Sequence, residues 1–349
     1  MPGFRIGDRP IGDEHPVFII AELSANHNGE FELARKTIAA AKEAGADAIK
    51  LQTYTPDTIT LNSDLPHFRT REDSPWAGQK LYDLYAKAHT PWEWHEELRD
   101  FARRLGLIFF SSPFDPTAVD LLEDLDVPAY KVASPEITDI PLIRYIASRG
   151  KPVILSTGIA REDDIALALD ACREVGNEQI ALLKCTSAYP TPLEEVNLAA
   201  LPLLGERYGA IPGLSDHTMD VVVPVAAVAL GAKIIEKHLI LDRALGGVDS
   251  SFSLNVDEFR EMVEAVRKTE LALGRPSLEP SPRQLKGRRN ARSLFVVQTI
   301  EAGEAITRAN VRSVRPGMGL HPKYYEEVLG KKALRRLDKG TPLQLADLS

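Results

Sequence analysis

Short apolar runs alternate with longer amphipathic stretches through the first three quarters of the chain. The runs lie at residues 17–22, 48–52, 107–111, 129–132, 152–156, 180–184, 211–217 and 233–238, bounded by Gly, Pro or polar residues. They are short enough for buried strands and show no helical period. Stretches of helical length follow them at 31–44, 91–105, 116–125, 141–148, 161–175, 194–204, 221–231 and 257–273. The last carries Phe259, Met262, Val263 and Val266 on one face. Gly45 is placed to cap the first helix, and Thr90, Pro91 and Gly106 to cap, start and stop the second. Eight strands, each followed by a helix, predict an α/β fold in the form of a (β/α)8 TIM barrel of about 250 residues. A doubly wound open sheet is the alternative, but no G-x-G-x-x-G follows the first strand. One connection, residues 53–90, is far longer than the rest, and loops of that length usually carry function.

The pattern changes beyond the last helix. Residues 276–289 hold Pro276, Pro280 and Pro282 and read as a linker. Residues 290–349 hold short segments broken by Pro316-Gly317 and Lys339-Gly340, which predicts a small second domain. The barrel domain is therefore placed at 1–275, with 1–16 as an N-terminal arm turning near Gly7 and Gly12.

Charge separates the same two regions. The 349 residues carry a net charge of −8, yet residues 283–349 hold 14 Lys and Arg against 6 Asp and Glu. The remainder holds 28 against 44. A basic tail on an acidic body suits docking on an acidic neighbour or anionic ligands. Nucleic acid is not expected as a partner, because stacking aromatics and a regular basic stripe are missing. No run of 18 apolar residues occurs and the N-terminus has no basic–apolar leader, so the expected location is cytoplasmic, with no membrane partner. Cys172 and Cys185 form no close pair and read as reduced core thiols.

Active sites of such barrels form at the C-terminal ends of the strands. Those ends hold Glu22; Lys50 and Gln52; Ser111 and Ser112; Lys131 and Ser134; Ser156 and Thr157; Lys184, Thr186 and Ser187; Ser215 and His217; Glu236 and His238. Lysines flanked by apolar residues are costly without an anion. Three at one rim, among hydroxyl donors, point to a bound phosphate or carboxylate; a lysine Schiff base is the other reading. His217 and His238 end consecutive strands. They are candidate ligands of one divalent ion, Mn²⁺, Co²⁺ or Zn²⁺, against the plainer reading of hydrogen-bonded rim histidines. The turn Asn26-His27-Asn28-Gly29 reads as hydrogen-bonded support for Glu22, with a metal-linked role as the alternative.

Several motifs together resemble the sialic acid synthase family: Ala21-Glu22-Leu23-Ser24-Ala25-Asn26-His27-Asn28-Gly29, Lys50-Leu51-Gln52-Thr53, Lys131-Val132-Ala133-Ser134, Leu155-Ser156-Thr157-Gly158, Tyr189-Pro190-Thr191-Pro192, Gly213-Leu214-Ser215-Asp216-His217 and Glu236-Lys237-His238. From Arg292-Ser293-Leu294 onward the chain resembles that family's antifreeze-like (SAF) domain. Three departures, at Glu22-Leu23-Ser24-Ala25-Asn26, Ser187-Ala188-Tyr189 and Gly247-Val248-Asp249-Ser250, make it most similar to the pseudaminic acid branch.

The resemblance implies metal-dependent condensation of phosphoenolpyruvate with an open-chain amino sugar, here 2,4-diacetamido-2,4,6-trideoxy-L-altrose. Pseudaminic acid and phosphate would form by C–O cleavage. N-acetylneuraminate or legionaminate synthesis from another N-acyl amino sugar is the alternative. Lys50, Ser111, Lys131, Ser134, Ser156, Ser187, Ser215 and His217 would bind phosphoenolpyruvate, with Lys184 added from its position alone. Gln52, Glu136, Tyr189, Asp249 and Arg315 would hold the sugar. Glu22, Glu236 and His217 would be catalytic. His217 and His238 would hold the metal, Mn²⁺ foremost, with Co²⁺ or Mg²⁺ as alternatives. Arg315 would reach the active site of the other protomer in a domain-swapped homodimer. Two further readings compete: a Schiff-base pyruvate lyase and a non-catalytic carbohydrate-binding protein.

Overall fold

The computed structural model describes residues 3–72, 74 and 76–349. It divides into two units, Met1–Gly274 and Arg275–Ser349.

The first unit begins with a hairpin, β1 (Phe4–Ile6) and β2 (Arg9–Ile11), paired antiparallel. Its turn uses Gly7 at φ +60°, a left-handed conformation that favours glycine. Eight parallel strands then close into a barrel: β3 (Phe18–Glu22), β4 (Ala48–Thr53), β5 (Ile108–Pro113), β6 (Tyr130–Val132), β7 (Val153–Ser156), β8 (Ile180–Cys185), β9 (Ile211–Asp216) and β10 (Ile234–His238). The closure is β10 on β3, with His238 opposite Glu22. The eight strands anticipated from the apolar runs are all present. Their rows of Ile, Val, Leu and Ala are buried on both faces, inside the barrel and beneath the helices.

The helices are α1 (Phe31–Glu43), α2 (Pro56–Ile59), α3 (Leu81–Ala88), α4 (His95–Arg104), α5 (Pro116–Asp124), α6 (Ile140–Ala147), α7 (Glu162–Arg173), α8 (Leu201–Tyr208), α9 (Val222–Ala229) and α10 (Val256–Leu273). Their starts carry recognisable caps. The Asp115 carboxylate accepts from Thr117 N at 3.0 Å, and Asn255 exchanges bonds with Glu258. Gly45, at φ +93°, follows α1 where a Cβ would meet Val263 of α10 at 3.0 Å. The apolar stripe of α10, Phe259, Met262, Val263 and Val266, is buried as its spacing implied.

Two boundaries differ from the sequence expectation. Thr90 does not cap the following helix, because its hydroxyl is bonded to His27; a 3-10 turn, Trp92–Trp94, precedes α4. The helix expected at 194–204 is two 3-10 turns followed by α8. Asn197 at φ +47° breaks the first part, and Pro202 lies in the first turn of the second.

The second unit pairs β11 (Ser293–Val296) antiparallel with β12 (Val311–Val314). Around them Leu294, Val296, Ile300, Ile306, Val311, Leu337 and Leu343 form its own core. The Pro-rich stretch is not wholly irregular: α11 (Pro282–Gly287) starts with Ser281 capping Gln284 N. A further short helix, α12 (Tyr325–Val328), completes the unit. Among the described residues, no helix is long and apolar enough to cross a membrane.

Candidate active site

Parallel pairing decides which side chain of each strand enters the barrel. Glu22 is registered with Lys50, Lys50 with Phe110, Lys131 with Ile154, Ser156 with Leu183, Cys185 with Ser215, and Ser215 with Glu236. Period 2 along each strand then places Glu22, Lys50, Ser112, Lys131, Ser156, Cys185, Ser215 and Glu236 around the mouth. All of them are buried.

The centre of the mouth is a carboxylate–lysine cluster. Lys50 Nζ lies 2.5 Å from Glu22 Oε2 and 3.5 Å from Glu236 Oε1, and donates to Ser112 Oγ at 3.2 Å. Ser215 Oγ donates to Glu236 at 3.4 Å. Gln52 donates to Glu22 Oε1 at 3.2 Å and to Ser24 Oγ at 3.0 Å. Ser24 in turn bonds Asp249, so the β3 turn and the segment after β10 are tied together. Burial, aided by the nearby Glu236 charge, raises the Glu22 carboxyl to about 7 despite Lys50. Burial also opposes ionisation of Glu236, but the Lys50 and Lys131 charges outweigh it and hold that carboxyl below the usual range. Two neighbouring acids are thus driven to different protonation states, as acid and base work requires.

A second cluster lies across the mouth. Lys131 Nζ donates to Ser156 Oγ at 2.7 Å and to Val132 O at 2.8 Å, and burial lowers its pKa. Ser187 Oγ donates to Ser134 Oγ at 3.1 Å, and Ser134 Oγ accepts from Ile159 N at 2.9 Å. Gly158 closes this cradle: a Cβ there would stand 2.3 Å from Ser187 Oγ and 2.7 Å from Ser134 Oγ. Hydroxyls and a buried ammonium around a side-chain-free backbone suit an anion.

The third cluster is aromatic. The His217 and His238 ring centres are 5.3 Å apart. Tyr189 lies 4.6 Å from His217, and Phe252 lies 5.1 Å from His238. Trp76, from the long connection, stands 6.0 Å from Tyr189 and 6.2 Å from Phe252, and its indole N–H bonds Val248 O at 2.9 Å. Burial pushes His217 down to about 4 and His238 well below its usual value, so both imidazoles are neutral. His217 Nδ1 donates to Thr186 O at 3.1 Å, which leaves Nε2 with its lone pair. His238 Nδ1 is buried without a hydrogen-bond partner, and so is Glu236 Oε2. Two neutral imidazoles, one with a buried ring nitrogen that has no partner, are donors a divalent ion takes. Among the described residues no three His, Cys, Asp or Glu side chains close on one point, so such an ion needs oxygen from water or substrate.

Two residues expected at the mouth point elsewhere. Ser111 faces outward and bonds Thr53, which in turn bonds His95; Ser112 takes the inward position. Lys184 also faces outward, half-buried, and donates to Cys185 O at 2.8 Å; Cys185 faces in. Glu136 lies just past β6 with Oε2 buried and unpartnered, and burial raises its carboxyl to about 7. Arg315, just after β12, is an exposed residue of the second unit. The Asn26-His27 turn is a hydrogen-bonded support. Asn26 donates to Leu239 O and Ser253 Oγ, and His27 joins Thr90 and Gly29 N. Thr53 and Thr90 thus pin both roots of the long connection to buried histidines. Trp76 and Phe252 carry no signal in the sequence, because single aromatics outside a strand form no pattern.

Comparison with known proteins adds an independent line. The NeuB family model matches residues 37–277, and the SAF domain model matches 291–349. Pseudaminic acid synthase of Helicobacter pylori is 49% identical over 95% of this chain and 98% of its own length. N,N'-diacetyllegionaminic acid synthase of Legionella pneumophila is 34% identical over 97% and 96%. The crystal structure of N-acetylneuraminic acid (sialic acid) synthetase from Leptospira borgpetersenii superposes with a TM-score of 0.73 at 31% identity, covering 82% of this chain and 95% of that one.

Proposed function

Because the chain belongs to the NeuB family and ends in a SAF domain, we propose that it condenses phosphoenolpyruvate with open-chain 2,4-diacetamido-2,4,6-trideoxy-L-altrose to yield pseudaminic acid and inorganic phosphate. The observation that carries this reading is the pairing, within one barrel mouth, of a lysine–hydroxyl cradle with two carboxyls of opposite protonation tendency.

In this reading Lys131, Ser134, Ser156 and Ser187 receive the phosphate, and Lys50 with Ser215 steadies the carboxylate of phosphoenolpyruvate. Carbon 3 of phosphoenolpyruvate attacks the aldehyde carbon, and the aldehyde oxygen takes up a proton. Water adds to the cation left at carbon 2 and gives up a proton. The tetrahedral intermediate then expels phosphate by C–O cleavage, the carbon 2 hydroxyl passing its proton to the departing phosphate as it becomes the ketone. Glu22, near neutrality, suits delivery of the first proton; Glu236, ionised between two lysines, suits orientation and deprotonation of the water. Gln52, Glu136, Tyr189 and Asp249 line the acceptor side. His217 and His238 would hold a divalent ion, Mn²⁺ foremost, supplying Lewis acidity toward a carbonyl oxygen.

Phosphate release with the altrose derivative, compared with N-acetylmannosamine and the legionaminate precursor, tests the assignment. Preference for either of the last two replaces the sugar and keeps the reaction. Lys131, lowered by burial, is also the lysine a Schiff-base lyase would use. Borohydride trapping with pyruvate together with full activity in EDTA would decide for that chemistry.

A further inference from the structure

Lys237 does no work in the scheme above, yet its side chain is fully buried. It lies between Glu236 and His238 on β10, and alternation turns it away from the mouth into the layer beneath the helices. Its register partner on β9 is Asp216, the residue before His217. Lys237 Nζ meets Asp216 Oδ2 at 2.5 Å and also donates to the Thr218 carbonyl. Asp216 accepts from Thr218 N at 2.9 Å and from Thr218 Oγ1 at 3.0 Å. The ion pair therefore grips the backbone on both sides of His217 from the residue next to His238.

A buried ion pair is a poor way to gain stability, because desolvation offsets most of the attraction and a well-packed apolar pair often does as well. It is a good way to hold geometry, since each partner has few alternative positions. Geometry is what two imidazoles sharing an ion need: each nitrogen must stand about 2 Å from the ion. The rings come from separate strands, and each is one residue from one end of this ion pair.

We propose that Asp216 and Lys237 are positioning residues that set the spacing of His217 and His238 for a common divalent ion. This rests on the two-histidine metal reading above. The test is Mn²⁺ affinity by titration calorimetry on metal-free full-length protein, with Tm measured in EDTA. The variants are Lys237→Met, Lys237→Arg and the neutral pair Asp216→Asn/Lys237→Met. Lys237→Met is expected to lose both stability and affinity, since it strands a buried carboxylate. The neutral pair is expected to recover Tm while affinity stays about 10–100-fold weaker, the usual cost of losing a group that orients metal ligands. Lys237→Arg is expected to retain more affinity than Lys237→Met at matched Tm. Wild-type Mn²⁺ affinity in a neutral pair of wild-type Tm would overturn the proposal. Absence of Mn²⁺ binding by the wild-type protein would overturn the metal reading itself.

Discussion

The two ends of the barrel treat charge in opposite ways. At the N-terminal ends of the strands, charges are matched and partly solvated: Arg267 meets Asp47 at 2.9 Å and Lys151 meets Glu123 at 2.6 Å. Clefts of about 400 and 840 Å³ open there, and several of their lining charges, among them Arg9, Asp47, Asp126, Lys151, Arg267 and Glu270, are engaged in such pairs. At the C-terminal ends the charges are buried, and several polar atoms have no partner: Glu136 Oε2, Glu236 Oε2 and His238 Nδ1. Lys131 there bonds only neutral oxygens. Cleft volume does not single out a face, but buried carboxyl and imidazole atoms without partners do: among the described residues the N-terminal end leaves only the Nε of the ion-paired Arg9 and Arg149 unmatched. Unsatisfied buried groups cost stability and persist where a ligand completes them.

The sharpest way to break this contrast is to remove one lysine from each end. Lys131→Ala should lower kcat/KM for phosphoenolpyruvate by about 10²–10³-fold, the range for losing one preorganised electrostatic group. Lys151→Ala should leave kcat/KM within about twofold, as expected for a surface pair. Equal losses at both ends would erase the distinction. Next in size, His238→Ala should abolish tight Mn²⁺ binding and lower kcat by about 10²-fold; calorimetry and phosphate release report the two separately.

A smaller effect concerns the acceptor. Arg315→Ala should raise KM for the sugar about tenfold, worth roughly 1.4 kcal/mol, and leave KM for phosphoenolpyruvate nearly unchanged. Equal effects on both substrates would remove Arg315 from the acceptor.

The smallest effect is on pH dependence. Burial raises Glu136 from an ordinary 4.5 to about 7, so between those values the folded protein binds the proton that the unfolded chain releases. Its contribution is fully present below pH 4.5 and is lost as pH rises through 7. Glu136→Gln should therefore shrink the fall in Tm between pH 5 and pH 8 by roughly 2–4 °C. An unchanged fall would mean that Glu136 is not buried as described.

Most of the barrel was legible because each strand is a short apolar run with a polar end and each helix carries an apolar stripe and a stop. The same legibility brought Glu22, Lys50, Lys131, Glu236 and both rim histidines into view as strand-end residues. It failed where neighbours compete. Ser111 against Ser112, and Lys184 against Cys185, could not be separated from the pattern. Their strands are buried on both faces, so apolar and polar positions do not alternate.

By itself, then, the sequence determined the number and order of the strands, the break near Gly274 and the kinds of group available at the rim. These depend on local periodicity and on residues that start or stop elements. Tertiary structure alone decided which of those groups face one another. Closing β10 on β3 brings His238 beside Glu22 across most of the barrel's chain length, and the β9–β10 register joins Asp216 to Lys237 behind the histidines. Such encounters depend on strand register and closure, which no local pattern encodes.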